Sequence, residues 1–82
     1  MEKYLKIPSG RKELALEAKN LIDDYLGRRI NLEEAQEQIA LWVSNSGEYM
    51  FDGDKWNPTF SLHLGKKRLT IVDKMLPPIR TN

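Results

Sequence analysis

The sequence predicts an all-α fold, a compact bundle of three or four helices. It leaves open whether a small β-hairpin lies between the second and third helices. Three observations predict it. Apolar residues recur at helical spacing, a capping residue precedes each such stretch, and 82 residues supply one small core. We therefore expect a single domain over residues 1–82, with 1–8 as an extended lead-in and 77–82 as a tail.

The first helix is predicted to span about residues 10–26. Ser9 is a suitable N-cap, and an apolar stripe follows, made of Leu14, Ala18, Leu21, Ile22 and Tyr25. We expect Gly27 to end the helix in a left-handed conformation, which glycine adopts without a Cβ clash.

The second helix has the clearest start. Asn31 and Glu34 are spaced as a capping box, and Asn45-Ser46-Gly47 is the expected end. Its predicted apolar stripe consists of Leu32, Ala35, Ile39, Trp42 and Val43.

Residues 49–56 break the helical pattern. Asp52-Gly53 suits a tight turn, so this segment is either a small hairpin or a plain loop. In both cases we expect the aromatic side chains of Tyr49, Phe51 and Trp56 to fold onto the helices.

Asn57-Pro58 opens the last helical region, because asparagine caps a helix and proline fits its first position. Gly65 leaves two arrangements open, one helix over 58–76 or two helices over 58–64 and 66–76, and we favour two. The predicted apolar positions of this region form two neighbouring sets: Phe60, Leu64, Ile71 and Met75, then Leu62, Leu69, Val72 and Leu76. The central core is predicted to consist of Leu21, Ile39, Trp42, Leu69 and Val72.

Charge is segregated along the chain although the net charge is only +1. Residues 31–54 hold six acidic residues and no Lys or Arg, and residues 55–82 hold six basic residues and one acidic residue. The chain can therefore present an acidic face with Glu33, Glu34 and Glu37 and a separate basic face, unless the two segments neutralise each other.

The supply of reactive residues argues against an enzyme. Cysteine is absent, His63 is the only histidine, and no phosphate-binding glycine motif or nucleophile motif occurs. We expect no catalytic residue, no cofactor and no metal site, and little room for a ligand pocket of about 300 Å³ or more. No apolar run reaches the roughly 20 residues of a membrane span, so the expected compartment is the cytoplasm.

The basic cluster Lys66-Lys67-Arg68 follows Gly65 directly. Residues 57–76 partly match a helix-turn-helix pattern with Gly65 at the turn, and the cluster would then begin a DNA-recognition helix. In a continuous helix, the same three residues would form a solvated face.

Residues 57–72, from Asn57-Pro58-Thr59 through Leu64-Gly65-Lys66 to Val72, resemble the C-terminal part of small uncharacterised helical proteins of Gram-positive bacteria and their phages. The first helix, from Lys12-Glu13-Leu14 to Asp24-Tyr25, is similar to theirs. The resemblance implies a compact helical accessory protein without a known activity, and it assigns no site residues.

Our leading hypothesis is a non-catalytic module that binds a protein partner. A regulatory accessory protein of bacteria or phages is one form that this function could take. Its expected partner-binding residues are Trp56, Lys66, Lys67 and Arg68. The alternative is a small DNA-binding regulator that uses residues 66–68. No membrane partner is expected, and a homo-oligomer is left open.

Overall fold

The structure is a computed structural model that describes Tyr4 and residues 7–76. Its elements are α1 (Arg11–Leu26), α2 (Leu32–Met50), β1 (Phe51–Asp52), β2 (Lys55–Trp56), α3 (Pro58–Leu64) and α4 (Lys66–Met75). The predicted all-α bundle is confirmed, in its version with four helices and a hairpin between the second and third. Most of the predicted lead-in and the tail at 77–82 lie outside the described residues.

Helix α1 lies at the centre of the bundle and contacts α2, α3 and α4. Each helix contributes apolar side chains to one buried cluster, which consists of Leu14, Ala15, Ala18, Leu21, Ile22, Ala35, Ile39, Trp42, Met50, Phe60, Leu64, Val72 and Met75. The predicted stripes of the first two helices supply most of these residues. No described helix is both long enough and apolar enough to cross a membrane.

The predicted capping of α1 needs correction at both ends, although the helix ends at Leu26 as predicted. Gly10, not Ser9, is the N-cap, and the backbone N–H and hydroxyl of Ser9 instead donate to the Glu13 carboxylate. At the other end, Gly27 has φ −83°, and Arg28 is the left-handed residue with φ 63°. Gly27 therefore ends the helix without the conformation that we expected of it.

Helix α2 begins as predicted. The Asn31 side chain accepts the backbone N–H of Glu34 at 2.8 Å, and the Glu34 carboxylate accepts the backbone N–H of Asn31 at 2.9 Å. The predicted end is only partly right: Ser46 has non-helical angles (φ −139°, ψ 29°), but the helix resumes and continues to Met50. Leu32, predicted to lie on the apolar stripe, is 46% exposed because it belongs to the first turn, beyond the edge of the core.

The segment after α2 is a hairpin rather than a plain loop. Phe51 pairs with Trp56 and Asp52 with Lys55, and Gly53 has φ 67° at the first loop position, where a type II′ turn requires a positive φ. The Phe51 and Trp56 rings stack at 4.6 Å, and Trp56 stacks on Phe60 at 5.9 Å. The expected aromatic satellite of the core is therefore present.

Helices α3 and α4 are separate, joined through Gly65 with φ 93°, which confirms the two-helix arrangement. Asn57 caps α3 by accepting the backbone N–H of Phe60 at 3.1 Å. Two residues predicted to face inward are less buried than predicted. Leu62 is 79% exposed, and Leu69 is only partly buried, because the turn at Gly65 changes the helical phase between the two helices.

Candidate binding surfaces

An open groove of about 490 Å³ lies at the corner where α1 passes into α2. It is lined by Tyr25, Leu26, Arg28, Arg29, Ile30, Asn31 and Glu34. This volume exceeds the roughly 300 Å³ for which we expected little room, but the groove is open to solvent rather than an enclosed ligand pocket.

The backbone of the groove wall is a Schellman motif, the hydrogen-bonded turn that often ends a helix. The N–H of Arg28 donates to the Tyr25 carbonyl at 3.1 Å, and the N–H of Arg29 donates to the Asp24 carbonyl at 2.8 Å. Glycine is the usual residue at the left-handed position, and here an arginine occupies it. The motif fixes the Cα–Cβ direction of Arg28 at the edge of the groove.

The side chain of Arg29 is held in place by a carboxylate. Its Nε donates to Asp24 Oδ1 at 2.7 Å, and the Tyr4 hydroxyl donates to Asp24 Oδ2 at 2.5 Å. Gly27 makes room for this arrangement, because a Cβ there would lie 2.9 Å from an Arg29 guanidinium nitrogen. The hydrogen bond to Asp24 is the first cause of a raised pKa for Arg29, so this arginine stays charged and paired.

Arg28 differs from its neighbour. It is exposed, and its guanidinium has no hydrogen-bond or ion-pair partner among the residues that the structure describes. The apolar part of the groove is formed by Tyr25 and Ile30, which pack against the core, and by Leu26, which is 56% exposed. The groove therefore combines a partly exposed apolar surface with one unpaired cation.

The basic cluster is divided by the fold. Lys66 and Lys67 are exposed at the first turn of α4, and no side chain caps that helix. Arg68 instead turns towards α1, where its Nε donates to Asp23 Oδ1 at 3.0 Å and its Nη2 to Asp23 Oδ2 at 3.3 Å. Two of the three predicted partner-binding cations are therefore available to solvent.

The predicted acidic face is exposed at Glu33, Glu34 and Glu37 on α2. Glu34 also belongs to the capping box and lines the groove, so its carboxylate is partly engaged. Trp56, the remaining predicted partner-binding residue, is partly buried between Phe51 and Phe60. It lies on the hairpin and does not line the groove. His63 is exposed on α3.

Sequence reasoning missed the groove. Two signals could have indicated it: leucines at positions 26 and 32 on either side of the link, and two adjacent arginines after the helix-ending glycine. Within Tyr4 and residues 7–76, no cluster of three or more acidic or histidine side chains is arranged to hold a metal ion.

The chain matches a known protein family. A family model described as a conserved hypothetical protein matches residues 5–77, which is most of the chain. No curated protein and no solved structure matches the chain.

Proposed function

Because the chain belongs to this family of conserved hypothetical proteins, whose description names no activity, we propose a function from its surface: a non-catalytic module that binds a protein partner in the groove between α1 and α2. The observation that carries the proposal is the groove itself, which is lined by both apolar and charged side chains. Protein interfaces have this composition, with an apolar centre surrounded by polar groups.

The exposed leucines support this location. Leu26 lines the groove at 56% exposure, and Leu32, which follows the lining residue Asn31 in the chain, is 46% exposed. Single exposed apolar residues are ordinary, but Leu26 shares the lining of an open groove with Tyr25 and Ile30. Burying such leucines against a partner contributes roughly 25 cal/mol for each Å² of apolar surface removed from water.

The test compares one groove variant with one matched control. Wild type, Leu26→Ser and Leu62→Ser would each serve as immobilised bait in a bacterial lysate, with and without nuclease. Leu62 is 79% exposed on α3 and lies outside the groove lining, so it receives the same substitution at a neutral site.

We expect wild type and Leu62→Ser to retain the same protein and Leu26→Ser to lose it, whether or not nuclease is present. Equal retention by all three baits would place the interface elsewhere. Loss of retention on nuclease treatment would favour nucleic acid as the partner.

A DNA-binding regulator is our second candidate, supported by the exposed pair Lys66 and Lys67 at the start of α4. The positive end of the helix dipole disfavours two lysines there by a few tenths of a kcal/mol each, and a bound phosphate would reverse that effect. Two observations weigh against it. Arg68 is paired with Asp23, and a one-residue link at Gly65 is shorter than the three or four residues usual in a helix-turn-helix.

Titration into mixed-sequence duplex DNA at low and then higher salt tests this candidate. The wild type should bind at 50 mM salt and more weakly at 200 mM, and Lys66→Gln/Lys67→Gln should lose the binding, since each phosphate contact contributes about 0.9 to the log-log salt slope. No detectable binding at low salt, where attraction is strongest, would eliminate the DNA candidate.

The wider setting of the proposal is a regulatory accessory protein of Gram-positive bacteria or their phages, acting in the cytoplasm. In that setting the segregated charges orient the partner and raise its association rate more than they add to affinity. A second copy of the chain is the simplest competing occupant of the groove, and light scattering over a concentration series would detect it as a rise in mass that Leu26→Ser abolishes.

A further inference from the structure

We infer that the groove receives a peptide segment in which a carboxylate lies next to an apolar side chain, and that Arg28 binds the carboxylate. The inference rests on the proposed function, because it assigns a chemistry to the segment that the groove would hold.

The charges of the lining point to an anionic group. Two arginines and one glutamate line the groove. Arg29 is bound to Asp24 at 2.7 Å, and the Glu34 carboxylate accepts the Asn31 N–H at 2.9 Å. Arg28 is left with its guanidinium unpaired among the described residues, and a guanidinium can bind a carboxylate through two parallel hydrogen bonds.

The backbone at Arg28 adds a second observation. Its φ of 63° is the only positive φ at a non-glycine residue within the described part of the chain. This conformation is unfavourable for a residue with a Cβ, and glycine avoids the clash. Strained backbone of this kind occurs preferentially at binding sites, and here it holds the Arg28 side chain at the edge of the groove.

The surroundings favour a single carboxylate over a polyanion. Glu34 lines the groove, and Glu33 and Glu37 lie exposed on the same first two turns of α2. A nucleic acid or an anionic membrane would bring many negative charges against them, and that repulsion would oppose binding. One carboxylate flanked by apolar residues can contact Arg28 and place its apolar neighbour on Leu26 and Ile30.

A random linear peptide library displayed on phage tests the inference without knowledge of the natural partner. Selections would use wild type, Arg28→Gly and Leu26→Ser as folded targets. Arg28→Gly removes the side chain and suits the left-handed backbone, so any loss of selection cannot be attributed to unfolding. Peptides from the wild-type selection would then be synthesised in pairs with Glu or with Gln, and their affinities measured by NMR titration.

We expect wild type to select peptides with an acidic residue next to a Leu, Phe or Trp, and Arg28→Gly to lose the acidic preference. The Glu-to-Gln exchange should weaken binding to wild type about threefold to tenfold and leave binding to Arg28→Gly unchanged, as for a solvent-accessible charge-assisted hydrogen bond.

The negative outcomes are distinguishable. Selection of peptides whose binding depends on Leu26, but which show no preference for an acidic residue, would overturn the inference and leave the docking function in place. Failure to select peptides, or selection that does not depend on Leu26, would overturn the docking function together with the inference.

Discussion

Arg68 of α4 forms an ion pair with Asp23 of α1, with 3.0 Å between Nε and Oδ1. The two residues are 45 positions apart in the sequence, so the pair links the last helix to the first. It also divides the basic cluster, since one of its three cations is committed within the fold and two are exposed. A variant that neutralises all three residues would therefore change the fold contacts as well as the surface charge.

A double-mutant cycle with Arg68→Gln and Asp23→Asn should give a coupling energy of about 0.2–1 kcal/mol, because both side chains are partly exposed, at 34% and 40%. Urea denaturation of the four proteins measures it, and the coupling should shrink in high salt. A coupling well above this range and insensitive to salt would mean that the pair is effectively buried.

Truncation of Leu21 should destabilise the protein more than truncation of Leu69. Leu21 is fully buried, so Leu21→Ala should cost about 2–5 kcal/mol. Leu69 is only partly buried, so Leu69→Ala should cost about half as much. Equal shifts in the denaturation midpoint would show that Leu69 is as central to the core as the sequence predicted.

The two asparagine caps should differ in strength. Asn31→Ala removes an exposed capping box and should cost about 0.5–2 kcal/mol. Asn57→Ala should cost more, because Asn57 is 6% exposed and its side chain also donates to Asp52 at 3.0 Å. The reverse order in thermal or chemical denaturation would contradict this assignment.

Arg28→Gly should stabilise the protein by about 0.5–1 kcal/mol, since it relieves the left-handed conformation while making the unfolded chain more flexible. Arg28→Ala is the control, because it removes the same charge without relieving the backbone, and its stability should stay close to that of wild type. Stabilisation of equal size in both variants would show that loss of the charge, rather than relief of backbone strain, stabilises the protein.

The Tyr4 hydroxyl should titrate at unusually high pH. Burial, followed by the hydrogen bond to Asp24, raises its pKa above the ordinary value of 10.0. A raised pKa in the folded state means that the contribution of Tyr4 to stability is fully present below pH 10 and is lost as the pH rises through the folded-state pKa. The tyrosinate absorbance of wild type should therefore continue to rise at pH values where that of Tyr4→Phe is complete. Coincident titration curves would show that the contact with Asp24 does not persist in solution.

Much of the fold was predictable because its signals are local. The capping box at Asn31, the Asn57-Pro58 start and the glycine at position 65 each act within one helical turn, and each begins or ends a helix where the sequence predicted. The apolar stripe of α1 was equally predictable, because one uninterrupted helix keeps its phase over the whole length.

The errors arise where the phase changes or where tertiary contacts decide the outcome. Leu62 and Leu69 were assigned to one face, but the turn at Gly65 rotates one helix relative to the other. The pairing of Arg68 with Asp23 joins distant parts of the chain, and no local pattern encodes it. The groove depends on the angle between α1 and α2, which follows from core packing rather than from the residues of the link.

The one-residue connection at Gly65 makes this part of the chain intolerant of changes in length. Inserting or deleting a residue there would turn α4 by about 100° about its axis, which would carry Val72 and Met75 out of the core. The link between α1 and α2 is longer, and backbone hydrogen bonds hold its first residues while the capping box holds its last. A change in length at Gly65 should therefore be detected as loss of core packing, whereas a change at Ile30 would leave both helix ends hydrogen-bonded.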